Sequence, residues 1–166
     1  NDLLPLTEMG KKPLPILCLE STANLIQDFW GHIIEYFTFE PLHEKFGRVE
    51  FRGESFNYTT YRQDVDVMGI RWKTMAYFTD IKHYDLSLFD VCVGVRQLII
   101  SIGCEREIVS HIGLEKAVDI GKHMQAEEMY FTHLNHEVDY SDEKKLMDRY
   151  HVSNGHLAYD GLEIIL

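Results

Sequence analysis

Cysteine is scarce in this sequence, and what there is lies far apart. Cys18, Cys92 and Cys104 are the only three in 166 residues. No C-x-x-C pair occurs, which argues against a disulfide framework or a thiolate zinc site and for a reduced, cytoplasmic protein. No apolar run approaches the roughly 20 residues of a membrane span. Basic residues are also few: 16 Lys and Arg stand against 27 Asp and Glu, a formal net charge of -11. That disfavours a binder of duplex DNA or RNA, whose affinity comes largely from neutralising phosphates. It leaves open a nucleotide-sized substrate held by a metal ion, whose own charge dominates locally. Neither G-x-x-x-x-G-K-[ST] nor G-x-G-x-x-G occurs, so there is no Gly-rich phosphate loop. There is no G-x-S-x-G nucleophile elbow either. Internal repeats and low-complexity segments are absent. The chain opens Asn1-Asp2-Leu3-Leu4, with no initiator Met and no signal-peptide pattern, and reads as the later part of a longer protein.

What remains is an ordinary globular composition, 45% hydrophobic and 26% charged. The length suits one domain spanning 1–166. A chain of this size buries about 70% of its unfolded surface and needs no staple for a core. After a polar, Pro- and Lys-containing connection (7–15), Pro15 to Leu19 reads as a buried strand. Ser21-Thr22 offer an N-cap for a helix carrying Leu25, Ile26, Phe29 and Trp30 at helical spacing. Residues 32–46 are aromatic and carry no clear period. From Arg48 to Asp80 four β-like runs with short links predict an antiparallel meander, with Met68-Gly69 as a bend or bulge. Val95 to Ile102 is a nearly continuous apolar strand, covered on both faces. A helix face follows at Leu114, Ala117, Val118 and Gly121, then a strand at 129–132 and a helix at 143–150. Asp160-Gly161 predicts the turn of a closing hairpin between 156–159 and 162–166. Meander followed by strand–helix–strand implies stacked sheets with helices outside, in a mixed α/β or α+β class.

Nine histidines are many for this length, and six lie in the last third. Histidine is the commonest metal ligand and a near-neutral acid or base. The densest cluster is Thr132-His133-Leu134-Asn135-His136-Glu137-Val138-Asp139, directly after an apolar strand. Ligands at a strand's C-terminal end are held by a rigid element yet face a cleft between loops. A carboxylate beside a ligating His fixes its tautomer. The same residues also read as a polar turn, since a His-x-x-His pair is a weak signal. Asp80 likewise closes an apolar strand, where a carboxylate can bridge two cations or merely cap a turn. His111 precedes a helix and reads either as a ligand-facing residue or as a solvated loop His. The remaining histidines read as structural or surface residues.

Three stretches, in this order and spacing, resemble one family. They are Gly69-Ile70-Arg71 running on to Ala76-Tyr77-Phe78-Thr79-Asp80, then 132–139, then Leu157-Ala158-Tyr159-Asp160-Gly161-Leu162-Glu163-Ile164. They look like the later part of a metallo-β-lactamase-fold hydrolase. Within that group they are similar to the phosphodiesterases related to the phosphoribosyl cyclic-phosphate enzyme of phosphonate breakdown. The likeness covers 68–166 and extends to Asn1-Asp2-Leu3-Leu4-Pro5. It implies an αββα sandwich, present here without its first strands. It implies Asp80 as a bridging metal ligand and His133 as the last metal ligand, with His111 and His136 as catalytic residues near the substrate. Two zinc or manganese ions would be expected in the complete protein, with a metal-bound hydroxide attacking a small phosphate-ester substrate. No membrane partner is implied, and a homodimer is left open.

Two departures from the family pattern stand out. Its His-x-His-x-Asp-His loop occurs nowhere in this chain. The middle histidine is also missing: its place falls at about Arg62 or Gln63. Gln63 offers an amide oxygen to a hard ion such as Mn²⁺, whereas Arg62 repels a cation and suits a phosphate. A non-catalytic member of the same fold, kept as a binding or structural protein, is therefore the alternative to an enzyme, and a mononuclear metal protein a third reading. If Asp80 and His133 share a metal, their side chains must lie within about 6 Å of each other, given ligand bonds of roughly 2.0–2.2 Å.

Overall fold

The structure, a computed structural model, describes residues 12–136 and 138–166. The 1–5 segment of the resemblance, most of the 7–15 connection and Glu137 lie outside them. The chain divides at Glu44 and Lys45 into two compact units.

In the first unit, strand β1 (Leu14–Leu19) runs straight into helix α1 (Glu20–Trp30). The chain then passes through a 3-10 turn (Gly31–Tyr36) into β2 (Phe37–Leu42). β1 and β2 pair in parallel, Leu14 opposite Phe37 through Leu19 opposite Leu42. Ser21 and Thr22 do not cap the helix. It begins at Glu20, two residues earlier than a Ser21 cap would place it, with Leu19 extended at the cap position and no side-chain cap bond, so both hydroxyl residues fall within its first turn.

The second unit is built on one seven-stranded sheet in simple order. β3 (Phe46–Phe51), β4 (Glu54–Arg62), β5 (Asp66–Trp72) and β6 (Met75–Phe78) form the expected antiparallel meander. Arg52 and Gly53 both adopt positive φ in the first hairpin, the geometry whose twist matches two antiparallel strands. From β6 onward the pairing is parallel through β7 (Gln97–Ser101), β8 (Glu128–Thr132) and β9 (Gly155–Leu157). Parallel strands need crossovers. Here they include the short helix α2 (Ser87–Val91), α3 (Leu114–Met124), and α4 (Glu143–Arg149) preceded by a 3-10 turn. α3 turns Leu114, Ala117, Val118, Ile120, Gly121 and Met124 into the core and packs on β7 and β8. Ala76, Phe78, Leu98, Ile100, Met129 and Phe131 fill the centre of the sheet and are essentially without solvent contact. Among the described residues no helix is long and apolar enough to cross a membrane.

Two expectations from the sequence change. Met68-Gly69 is no bulge, because the β4–β5 register runs unbroken through Thr59 opposite Gly69 and Thr60 opposite Met68. Glycine is needed there for space: a Cβ would stand 2.1 Å from the Phe78 ring and 2.7 Å from that of Tyr61. The closing hairpin is also replaced. Residues 155–157 add in parallel to the free edge of β8, Met129 opposite Gly155 and Phe131 opposite Leu157. Asp160-Gly161 does turn the chain, with Leu162 N donating to Tyr159 O at 3.1 Å. The residues beyond it form no strand, since β8 has already taken its partner, and Ile165 is 91% exposed.

The close approach at Gly69 predicts that Gly69→Ala overpacks the Phe78–Tyr61 contact and costs about 1–3 kcal/mol. Gly121→Ala would press on the flexible Met129 side chain, at 2.2 Å from Sδ, and meet Leu98 only at ordinary contact distance, and should cost less. Urea midpoints of the two variants compare them directly.

Candidate metal centre

Strands β6, β7 and β8 run the same way, so their C-terminal ends gather at one edge of the sheet, where open α/β sheets collect their functional residues. Asp80 follows β6 by two residues and His133 directly follows β8. Both adopt left-handed backbone, at φ +55° and +61°. Asp and His are among the non-glycine residues that tolerate this region, at a cost of roughly 1–2 kcal/mol each. The middle strand steadies both turns. Ser101, at the end of β7 and fully buried, accepts the Asp80 amide proton on its hydroxyl at 2.7 Å. One residue on, Ile102 N donates to Thr132 O at 2.9 Å, and Asn135 N donates to Gly103 O at 3.1 Å. From β4, the buried Tyr61 hydroxyl donates to Thr79 O at 2.5 Å. Burial, and then the negative charge of Asp80, hold the Tyr61 phenol well above its ordinary range, so it acts as a permanent donor.

His111 comes from the loop between β7 and α3. Gly103 lets that loop close in: a Cβ there would stand 3.0 Å from the His111 Cβ. His111 Nε2 lies 3.2 Å from Asp80 Oδ1, and its Nδ1 lies 2.8 Å from Ser110 Oγ. His133 Nε2 lies 4.0 Å from the same Asp80 oxygen, inside the separation expected from the sequence. The two imidazoles stack 4.8 Å apart at 20°. One donor atom from each of Asp80, His111 and His133 falls within a 4.8 Å cluster. His111 is mostly buried, while Asp80 and His133 remain open to solvent.

One carboxylate oxygen and two imidazole nitrogens form a donor set suited to zinc and to its harder neighbours such as manganese. The direction of the Ser110 contact decides what His111 can do. A hydroxyl that donates to Nδ1 puts a hydrogen on Nε2, facing Asp80. A hydroxyl that accepts from Nδ1 frees Nε2 as a lone pair for a cation.

Of the other expected site residues, His136 is exposed in the turn after His133, outside this cluster. Gln63 lies in the β4–β5 turn, its backbone N–H donating to Val65 O at 3.1 Å. The sheet topology puts that turn at the same edge as Asp80. Arg62 is engaged by Asp66 at 2.8 Å and its backbone bridges His83. Ser101, Ser110 and Tyr61 entered no sequence motif. Only Ser101 left a trace, as a hydroxyl at the end of an apolar run that must find a partner once buried.

No protein-family profile and no curated protein matches the sequence. Solved structures do. A diphosphatase described as belonging to the PhnP family superposes at TM-score 0.82 with 22% identity, over 97% of this chain and 62% of its own. The YhfI protein of Bacillus subtilis, described as a metallo-β-lactamase fold protein, follows at 0.75, with 16% identity over 97% and 70%. Human tRNase Z, short form, gives 0.69, with 11% identity over 97% and 71%. The chain has the metallo-β-lactamase fold. It spans less than two thirds of the diphosphatase it matches. In this metallo-β-lactamase fold the edge formed by β6, β7 and β8 carries the Asp80–His111–His133 cluster.

Tyr61→Phe should cost about 1–3 kcal/mol near neutral pH, because the Thr79 carbonyl loses its donor. Wild-type Tyr61 keeps its proton in the folded state, whereas the unfolded chain releases it above pH about 10. The unfolded state then binds fewer protons, so this residue erodes stability by about 1.4 kcal/mol per pH unit above that point. Urea unfolding at pH 7 and above pH 10 should show the variant weaker at the first and less pH-sensitive at the second.

Proposed function

We propose that this protein is a metal-dependent hydrolase of phosphate esters, most simply a phosphodiesterase. The observation that carries the reading is the convergence of Asp80, His111 and His133 from three separate segments onto one cluster of donor atoms. A divalent cation there would supply Lewis acidity toward a phosphoryl oxygen and an acidified water as nucleophile. Asp80 and His133 would hold it, the first as the anionic donor and the second as the neutral one. His111 stands on the substrate side. It is fixed by Ser110 through Nδ1 and presents Nε2 within hydrogen-bond reach of Asp80 Oδ1, a suitable place from which to hold a phosphoryl oxygen or pass a proton to the leaving oxygen. His136, exposed beyond the turn, meets the substrate further out. A cleft of ≈370 Å³ lies on the same two loops, lined by Cys104, Glu105, Arg106, Asp139, Asp142, Lys145 and Arg149 but by none of the three cluster residues; its basic side chains would take the outer part of a small phosphate ester. The similar structures include a protein described as a diphosphatase and a tRNase Z, which supports phosphoryl chemistry. Gln63 is the proposed oxygen ligand of a second, weaker ion.

Zinc and manganese titration by calorimetry, with turnover of bis(p-nitrophenyl) phosphate, tests this reading. Asp80→Ala and His133→Ala should lose both binding and turnover. His111→Gln should lose turnover but retain the metal. Gln63→His should tighten the weaker ion. A protein limited to these 166 residues should not retain two ions through dialysis. If neither ion binds the wild-type protein and Asp80→Ala is silent, the non-catalytic alternative holds instead.

A further inference from the structure

Lys82 lies two residues beyond Asp80 and is mostly buried, at 12% side-chain exposure. A buried lysine must find partners for its three N–H donors, and all three of this one's acceptors lie on one loop. Nζ donates to Glu107 Oε1 at 2.6 Å, to Ile108 O at 2.5 Å and to His111 O at 3.3 Å. Two of these acceptors are backbone carbonyls, so the ammonium reads the path of the loop rather than only its side chains. One of the carbonyls belongs to His111 itself.

The start of the loop is held by α4 and by Cys104: Glu105 pairs with Arg149 and accepts from the Tyr150 hydroxyl at 3.1 Å, and Cys104 Sγ donates to Arg106 O at 2.9 Å. From Glu107 to His111 the main tie to the rest of the fold is Lys82, with Lys116 4.0 Å from Glu107. Residues 106–109 are all exposed, and Val109 at the tip is 97% so. Ile112 and Leu114 anchor the exit of the loop in the core, but no described residue between 106 and 109 contributes a buried side chain. Its internal backbone bonds are Ile108 N to His111 O at 3.1 Å and Leu114 N to Glu105 O at 3.0 Å. His111 O therefore serves both the loop's own closure and the lysine. The Glu107 carboxylate is held below its usual range, first by its bond to Lys82 and then by Lys116.

We propose that Lys82 is a positioning residue: its buried ammonium fixes the 105–111 loop to the strand end that carries Asp80, and so keeps His111 Nε2 facing Asp80 and the cation site. Because Asp80 and Lys82 are two residues apart, the strand end that aims the carboxylate also aims the imidazole. Lys82 touches neither cation nor substrate and acts through His111. The consequence for turnover rests on the proposed function; the consequence for the loop does not.

The test uses the full-length protein, without added metal first. Lys82→Met keeps the apolar stem and removes every donor. Amide hydrogen exchange should quicken by about tenfold or more at Ile108 and Leu114, as expected when charge-assisted bonds to a loop are lost. It should stay unchanged at Ile102, whose amide belongs to the sheet edge. The His111 imidazole resonance should broaden or move, while that of His156, outside the cluster, should not. With metal and phosphodiester present, kcat should fall about 10–100-fold, as for loss of residues that orient a site group, with KM and metal affinity little changed. In a double-mutant cycle, Lys82→Met on a His111→Gln background should cost almost nothing further. A purely structural lysine would instead speed exchange uniformly and add its cost to that of His111→Gln, and either result overturns the proposal. If the wild type shows no turnover, the exchange and imidazole readouts still decide the proposal, while the phosphoesterase reading fails separately. Should Lys82→Met not fold, Glu107→Gln, at an exposed acceptor, must still quicken exchange at Ile108; no change there would sink the idea.

Discussion

At the end of β7 a serine hydroxyl, cut off from solvent, accepts the amide proton of Asp80 at the end of the neighbouring strand. The geometry of the candidate site depends on that contact. A buried hydroxyl without a partner is costly, so Ser101 is committed to Asp80, and Asp80 to the backbone conformation that presents its amide. On the other side of the same strand, Ile102 N and Thr132 O tie the approach to His133. One central strand therefore governs the spacing of two side chains that are 53 residues apart in sequence.

Left-handed backbone at Asp80 and His133 carries a cost, and neither side chain is buried deeply enough for core packing to offset it. The surrounding bonds fix it: Tyr61 on the Thr79 carbonyl, Ser101 on the Asp80 amide, Asn135 on Gly103. Strain of this kind persists where neighbouring structure over-determines it, and it concentrates at functional sites. The arrangement keeps a carboxylate and two imidazoles apart from the sheet that carries them, and that sheet can then be as apolar as its core demands.

Much of this was legible in the sequence because it is written in local patterns. Alternation marked the meander, a continuous apolar run marked β7, and the strand-end positions of Asp80 and His133 drew attention to both. Tertiary geometry hid the remainder. Nothing local distinguishes Lys82 from a surface lysine until the 105–111 loop folds over it. Gly69 resembled a bulge because its true reason, the Phe78 and Tyr61 rings, comes from other strands. The terminal hairpin was a fair inference from Asp160-Gly161, but an open edge on β8 competed for residues 155–157 and won. The position of His111 before a helix left it open between a ligand-facing and a solvated reading; its distance to Asp80 depends on a loop whose path no period records.

The two outer strands of the large sheet among the described residues differ in how they present their backbone. β9 is three residues long, and β3 carries Arg48 and Glu50 two apart, paired at 3.3 Å on one face. A short rim offers few unpaired amides for another chain to zip onto, and alternating charge along the opposite rim makes an apolar strand a poor match. Both rims of this sheet are therefore poorer templates for a further strand than its long, apolar centre would be.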